Sequence, residues 1–137
     1  MDATYTVVDR LPTAATLARL RELNDMGPRS IQGLRRGLPN SVFGVVAVTD
    51  AETVVGTGRI VGDDASIYQL CDLVVHPDHQ GRGLGTRLMD ALMAYVEETA
   101  PPNAYVNLFA DVEGYYERWG FEHTAPASRG MFLRTDD

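Results

Sequence analysis

Lysine is absent from this chain of 137 residues, and all twelve basic side chains are arginines. That excludes a lysine nucleophile and the Walker-type lysine of a phosphoryl-transferring P-loop. Cysteine occurs once, as Cys71, so neither an intramolecular disulfide nor a cysteine-built zinc site can form. Long apolar runs are missing too. The longest, residues 42–48 even counting Gly44, falls far short of the roughly 20 residues a spanning helix needs, so no membrane partner is expected. The first five residues carry neither a basic n-region nor an apolar h-region, from which a cytoplasmic protein is expected. Positive charge is scarce. Nineteen acidic side chains leave a net charge of −7, the reverse of a protein that grips phosphate backbones, so nucleic acid is not an expected partner.

What is present is ordinary for a folded chain: 45% hydrophobic and 23% charged residues, at a length that predicts one domain over residues 1–137. Leu17, Leu20, Leu23 and Met26 recur at helical spacing after Pro12-Thr13 and before Gly27-Pro28. A second, short helix is expected over residues 30–36, with Ser30 as N-cap. Two β-branched runs, residues 42–48 and 53–61, lie at hairpin separation, and residues 67–75 form a third strand apolar enough to be central. Leu84, Leu88, Leu92 and Val96 mark a long amphipathic helix that Pro101-Pro102 ends. A strand over 104–109 follows. A short helix N-capped by Asp111 then carries Tyr115, Tyr116 and Trp119, Gly120 takes a left-handed C-cap, and residues 121–124 and 131–134 are candidate last strands. A hairpin followed by strand, helix and strand predicts a layered α/β domain with a mixed sheet.

The segment richest in chemistry runs from Leu73-Val74-Val75-His76-Pro77 through Gln80-Gly81-Arg82-Gly83-Leu84-Gly85-Thr86. A buried strand feeds a glycine-rich turn that opens a helix, and the unpaired N–H groups of a first helical turn favour an anion. A pyrophosphate fits there, with Arg82 and Arg87 placed to add charge-assisted hydrogen bonds. A dinucleotide fingerprint does not. The glycines are spaced Gly81-x-Gly83-x-Gly85, they follow a late strand, and Thr86 stands where the third glycine belongs.

Gln80-x-x-Gly83-x-Gly85 after Val75-His76-Pro77 resembles the acyl-CoA signature of the GNAT superfamily of N-acetyltransferases. Tyr115-Tyr116-Glu117-Arg118-Trp119-Gly120-Phe121 resembles that superfamily's Tyr-x-x-x-Gly-Phe segment, and the likeness extends over residues 4–134. Within the superfamily, the Asp72-Leu73-Val74-Val75 strand end and the Tyr-Tyr pair look like the glucosamine-6-phosphate and arylalkylamine acetyltransferase subgroup. The resemblance implies a GNAT fold of six to seven strands in a mixed sheet with about four helices. It implies acetyl-CoA as donor, with no metal, and a primary amine of a small molecule as acceptor. The pantetheine arm would pair with the backbone of Leu73, Val74 and Val75, where a β-bulge would free N–H and C=O groups. The diphosphate would rest on Gln80, Gly81, Arg82, Gly83, Leu84 and Gly85, with Thr86 adding its N–H or hydroxyl. The acceptor pocket would form from residues 26–36, Arg59 and residues 127–131, where Arg29, Arg35, Arg36 and Arg129 are candidate anion contacts. A homodimer is a candidate assembly.

Transfer of an acetyl group to an amine needs a neutral amine and a proton for the departing thiolate. Tyr116 matches the family's phenol at that thiolate, and a phenol near ~10 against a thiol near ~8.5 can return a proton at small cost. Asp72 and Asp111 are the candidate bases. For Asp72 two readings stand: open to a cleft it is functional, whereas an arginine partner such as Arg59 makes it structural. For Asp111 helix capping competes with catalysis. Gln69 and Cys71 occupy strand positions where some family members carry a Glu or His base, so this chain departs from them and a water chain is expected instead. A covalent role for Cys71 is disfavoured, and His76, Asp78 and His79 are expected to shape the loop rather than bind metal. Two alternatives differ in class: a CoA-binding regulatory module without turnover, and a protein lysine or N-terminal acetyltransferase.

Overall fold

The computed structural model describes residues 4–135. The chain divides into two units, one ending at Asn107 and one beginning at Leu108. In the first, β1 (Tyr5–Val8), β2 (Phe43–Thr49), β3 (Val54–Gly62), β4 (Ile67–Val75) and β5 (Tyr105–Asn107) form one sheet in sequence order. The first four are mutually antiparallel and β5 runs parallel to β4, giving the mixed sheet that the hairpin-then-crossover pattern predicts. β1 is the strand the sequence reading missed: four residues of half-buried Tyr-Thr-Val-Val, held by pairing Tyr5 with Thr49 and Val8 with Val46.

Helix α3 (Leu84–Thr99) buries the stripe Leu84, Leu88, Leu92 and Val96 with Met89, as its periodicity requires. Each such burial contributes about 1.5–3 kcal/mol. The helix lies close to the sheet because β3 carries Gly58, where a Cβ would meet Leu92 Cδ1 at 3.0 Å. A second apolar cluster joins α1 (Ala14–Leu23) and α2 (Ile31–Gly37) to β4, with Leu17, Leu20, Leu34, Leu38 and Val74 buried together. Ser30 caps α2 through Gly33 N–H at 2.9 Å, as expected. Helix α1 stops earlier than the Gly27-Pro28 signal implies. Asn24 caps its C-terminus and Asp25 turns to φ 53°, leaving Leu23 42% exposed.

Three α-helices and five strands are therefore found among the described residues, fewer than the four and six to seven expected. The shortfall lies in the second unit. Residues 121–124 and 131–134 form no strand there. Thr124 and Ser128 instead close a turn on each other (Ser128 N–H to Thr124 O, 2.9 Å), and Met131, Phe132 and Leu133 stay 82–90% exposed. The tyrosine-bearing helix is a single 3-10 turn, Tyr116–Trp119, closed by Gly120 at φ 92° as predicted. Its N-cap is Tyr115 and not Asp111.

Candidate active site

The β3–β4 ladder slips where the chemistry was expected. Thr57 pairs with Val74 and Arg59 with Cys71, so two steps along β3 match three along β4. The extra residue is a β-bulge at Asp72-Leu73, and Asp72 adopts φ 54° to make it. On its other side β4 pairs with β5 only through Ile67, Tyr68 and Gln69. From Leu70 to Val75 it has no strand neighbour on that side among the described residues, so this backbone lies along an open sheet edge.

That edge leads into the glycine loop. After the 3-10 turn Pro77–His79, Gly81 and Gly83 both stand at φ 78°, a left-handed conformation that a Cβ would strain. Apart from the flanking residues, nothing lies within 4 Å of where a Cβ would be at either position, so the loop's flank is open. Gly83 is the N-cap of α3 and offers no side chain to the first-turn N–H groups. The strand edge and the bare helix start are the two features a pantetheine diphosphate needs, and these residues fit one. Gln80 contributes by its side chain: Nε2 donates to Val75 O at 3.0 Å and to Asn24 Oδ1 at 2.8 Å. Asn24 Nδ2 donates to the same Val75 oxygen at 3.2 Å. The Val75 carbonyl, one of the groups expected to face the donor, thus already accepts two hydrogen bonds. Asn24 escaped the sequence reading because an asparagine after an apolar helix reads as a C-cap, which it also is.

Asp72 is 7% exposed and fully engaged. Arg21 Nη1 donates to Oδ1 at 2.6 Å and Arg59 Nε donates to Oδ2 at 2.7 Å. Arg21 continues to Gly27 O at 2.7 Å and Arg59 to Ser41 Oγ at 3.0 Å, so the pair of bridges ties α1, β3 and β4 together behind the bulge. This is the arginine-partnered arrangement of the two that the sequence left open. Arg21 was missed because an arginine inside an amphipathic helix reads as solvated charge. Cys71, opposite Arg59, is a thiol whose ionisation burial pushes up to about 11, with Asp72 adding to the rise and Arg59, Arg29 and Arg21 opposing it. It stays protonated near neutrality.

Among the described residues no group of three or more His, Cys, Asp or Glu could hold a metal. His76 Nδ1 accepts from Asp78 N–H at 3.1 Å and so shapes the turn before the loop. No described helix is long and apolar enough to cross a membrane.

In the second unit, Tyr116 is 7% exposed and its hydroxyl donates to Asp111 Oδ1 at 2.8 Å. Burial first, then that hydrogen bond and the carboxylate's charge, push the phenol's ionisation well above its ordinary value. Tyr115 stacks edge-on against Tyr116 and Trp119, with Arg118 over its ring.

The model of the acetyltransferase (GNAT) domain matches residues 40–123, most of the chain, and this protein belongs to that family. Uncharacterized N-acetyltransferase ycf52 of Pyropia yezoensis is 29% identical over 109 residues, which are 76% of this chain and 62% of that protein. Among the first relatives of this kind the chain spans between about a third and three fifths of their length. A protein of unknown function from Staphylococcus aureus, described as a probable acetyltransferase, superposes with a TM-score of 0.90 at 30% identity, over 96% of this chain and all of the other. A GNAT-family acetyltransferase from Brucella melitensis, solved with acetyl-CoA, shares the fold at a TM-score of 0.65 and 21% identity, over 88% of this chain and 84% of its own.

Proposed function

We propose that this chain is an acetyl-CoA-dependent N-acetyltransferase that acetylates a primary amine of a small molecule by direct attack within a ternary complex. The observation that carries this reading is the continuous run from an open strand edge to a helix start. β4 loses its parallel neighbour after Gln69, bulges at Asp72, and ends in two left-handed glycines before an N-terminus without a side-chain cap. Acetyl-CoA bound there would bring the activated thioester. The backbone of Leu73 and Val74 would pair with the pantetheine arm, and the N–H groups between Gln80 and Thr86 would hold the diphosphate.

The chain's own groups narrow how protons move. Asp72 is held by two guanidinium groups, so its role is to fix the bulge rather than to take the amine's proton. Cys71, a half-buried thiol whose ionisation is pushed up, is not the proposed acyl carrier. The amine proton then leaves through water. Tyr116 is the group proposed to meet the departing thiolate, and Asp111, its hydrogen-bond partner, positions it.

The test pairs calorimetry with coenzyme A and a thiol-release assay using acetyl-CoA with amino sugars, arylalkylamines, polyamines, aminoglycosides and peptides. Binding together with acceptor-dependent release is the expected result. Binding without release for any amine would make the chain a CoA-binding module, release confined to peptides would make it a protein acetyltransferase, and no binding at millimolar coenzyme A would end the donor reading.

A further inference from the structure

Both arginines of the glycine loop region end on one residue of β1. Arg82 Nη1 donates to the Tyr5 hydroxyl at 3.0 Å, and Arg87 Nη2 donates to the Tyr5 carbonyl oxygen at 3.3 Å. The same hydroxyl lies 2.7 Å from His79 Nδ1, with the two rings edge to face at 5.6 Å. A guanidinium can only donate, and a phenol has a single proton. The Tyr5 oxygen therefore accepts from Arg82, and His79 Nδ1 shares the same hydroxyl, as acceptor or donor according to its tautomer. One side chain, remote in sequence, thereby joins an arginine and a histidine on either side of Gln80-Gly81.

Resting on the donor reading of this loop, we infer that Tyr5 is a positioning residue that holds Arg82 ready for the donor's phosphates. Arg82 is exposed, and an exposed arginine loses rotamer freedom when it closes on an anion. Anchored on Tyr5, it has lost that freedom beforehand. The choice of anchor matters as well. A carboxylate would steady the guanidinium but cancel its charge, in a chain already carrying a net −7. A neutral phenol steadies it and leaves the charge intact, and the bond takes one of five N–H donors, leaving the planar fork for a phosphate.

Tyr5→Phe keeps the ring and removes the hydroxyl. With acetyl-CoA it should raise KM about 3- to 10-fold and leave kcat within about twofold, since it acts on capture and not on transfer. With S-acetylpantetheine, which has no phosphate, kcat/KM should not change. In an Arg82→Ala background the same substitution should cost less than about 1.5-fold, because its means of action is gone. Equal losses with both donors, equal losses in both backgrounds, or no loss at all would each overturn the inference while coenzyme A still binds the parent protein. A parent protein that binds no coenzyme A would overturn the donor reading and this inference with it.

Discussion

Arg59 Nε lies 2.7 Å from Asp72 Oδ2 across the slip in the β3–β4 ladder, and Arg21 closes on the other oxygen at 2.6 Å. The bulge beside the open strand edge is therefore held by a buried carboxylate between two guanidinium groups. Removing the charge from the centre of such an arrangement is costlier than never having built it, because two desolvated cations remain around a neutral group. Asp72→Asn should lose about 3–5 kcal/mol of unfolding free energy, read from urea titration. The folded fraction should still release thiol within about threefold of the parent rate. A normal urea midpoint with a hundredfold slower turnover would instead make Asp72 a catalytic base.

Cys71 offers a second separation of packing from chemistry. With its ionisation pushed up to about 11, roughly one thiol in several thousand is ionised at pH 7.5. Iodoacetamide should label the folded protein far more slowly than the urea-unfolded chain. Cys71→Ala should keep turnover, paying only for a small lost side chain. Rapid labelling of the native thiol, or an acetylated Cys71 trapped by mass spectrometry, would revive covalent transfer.

The strand-loop-helix unit from Ile67 to Thr99 was legible in the sequence almost to the residue. Its burial alternates along β4 and repeats at helical spacing along α3, and its glycines sit at the junction. What escaped was contact between distant segments. Tyr5 reads as one residue of a strand too short to notice, Arg21 as surface charge and Asn24 as a cap, yet each touches the β4 end or its loop from elsewhere in the chain. Sequence could state both alternatives for Asp72, but only geometry could place two arginines on it. The last strands failed for a related reason: residues 131–134 have strand composition, but a strand exists only where a neighbour accepts its hydrogen bonds.

Gly83 and Gly37 form a matched pair for testing the loop. A Cβ at either would touch nothing within 4 Å, but Gly83 stands at φ 78° and Gly37 at φ −82°. Gly37→Ala should therefore stabilise the protein by about 0.4–1 kcal/mol, through a stiffer unfolded chain, and leave coenzyme A affinity alone. Gly83→Ala should cost about 1–2 kcal/mol for the left-handed backbone. Its methyl group should also weaken coenzyme A at least about tenfold, by standing where a phosphate approaches the first-turn amides. Equal calorimetric affinities for the two variants would remove the diphosphate from this helix start.

Tyr116 and Asp111 give the pH dependence. In the free protein the phenol donates to a carboxylate at 2.8 Å and is largely buried, and both conditions hold its proton more tightly than the ordinary value near 10. A departing thiolate, near ~8.5 as a free thiol, is the weaker base, so outright transfer from this phenol is uphill by about 1.4 kcal/mol for each unit that separates them. The expected contribution is a hydrogen bond from the protonated phenol to the developing charge, with solvent completing the proton count. Tyr116→Phe should then lower kcat about 100-fold while calorimetric binding of coenzyme A is kept. Asp111→Asn removes the carboxylate's two contributions and lets the phenol's ionisation fall back toward its usual range. Since the required form is the protonated one, the alkaline limb of kcat should move to lower pH in Asp111→Asn, whereas the parent should show no phenol-linked decline below about pH 10. Coincident profiles for parent and Asp111→Asn, at equal rates, would mean that turnover never calls on the Tyr116 proton.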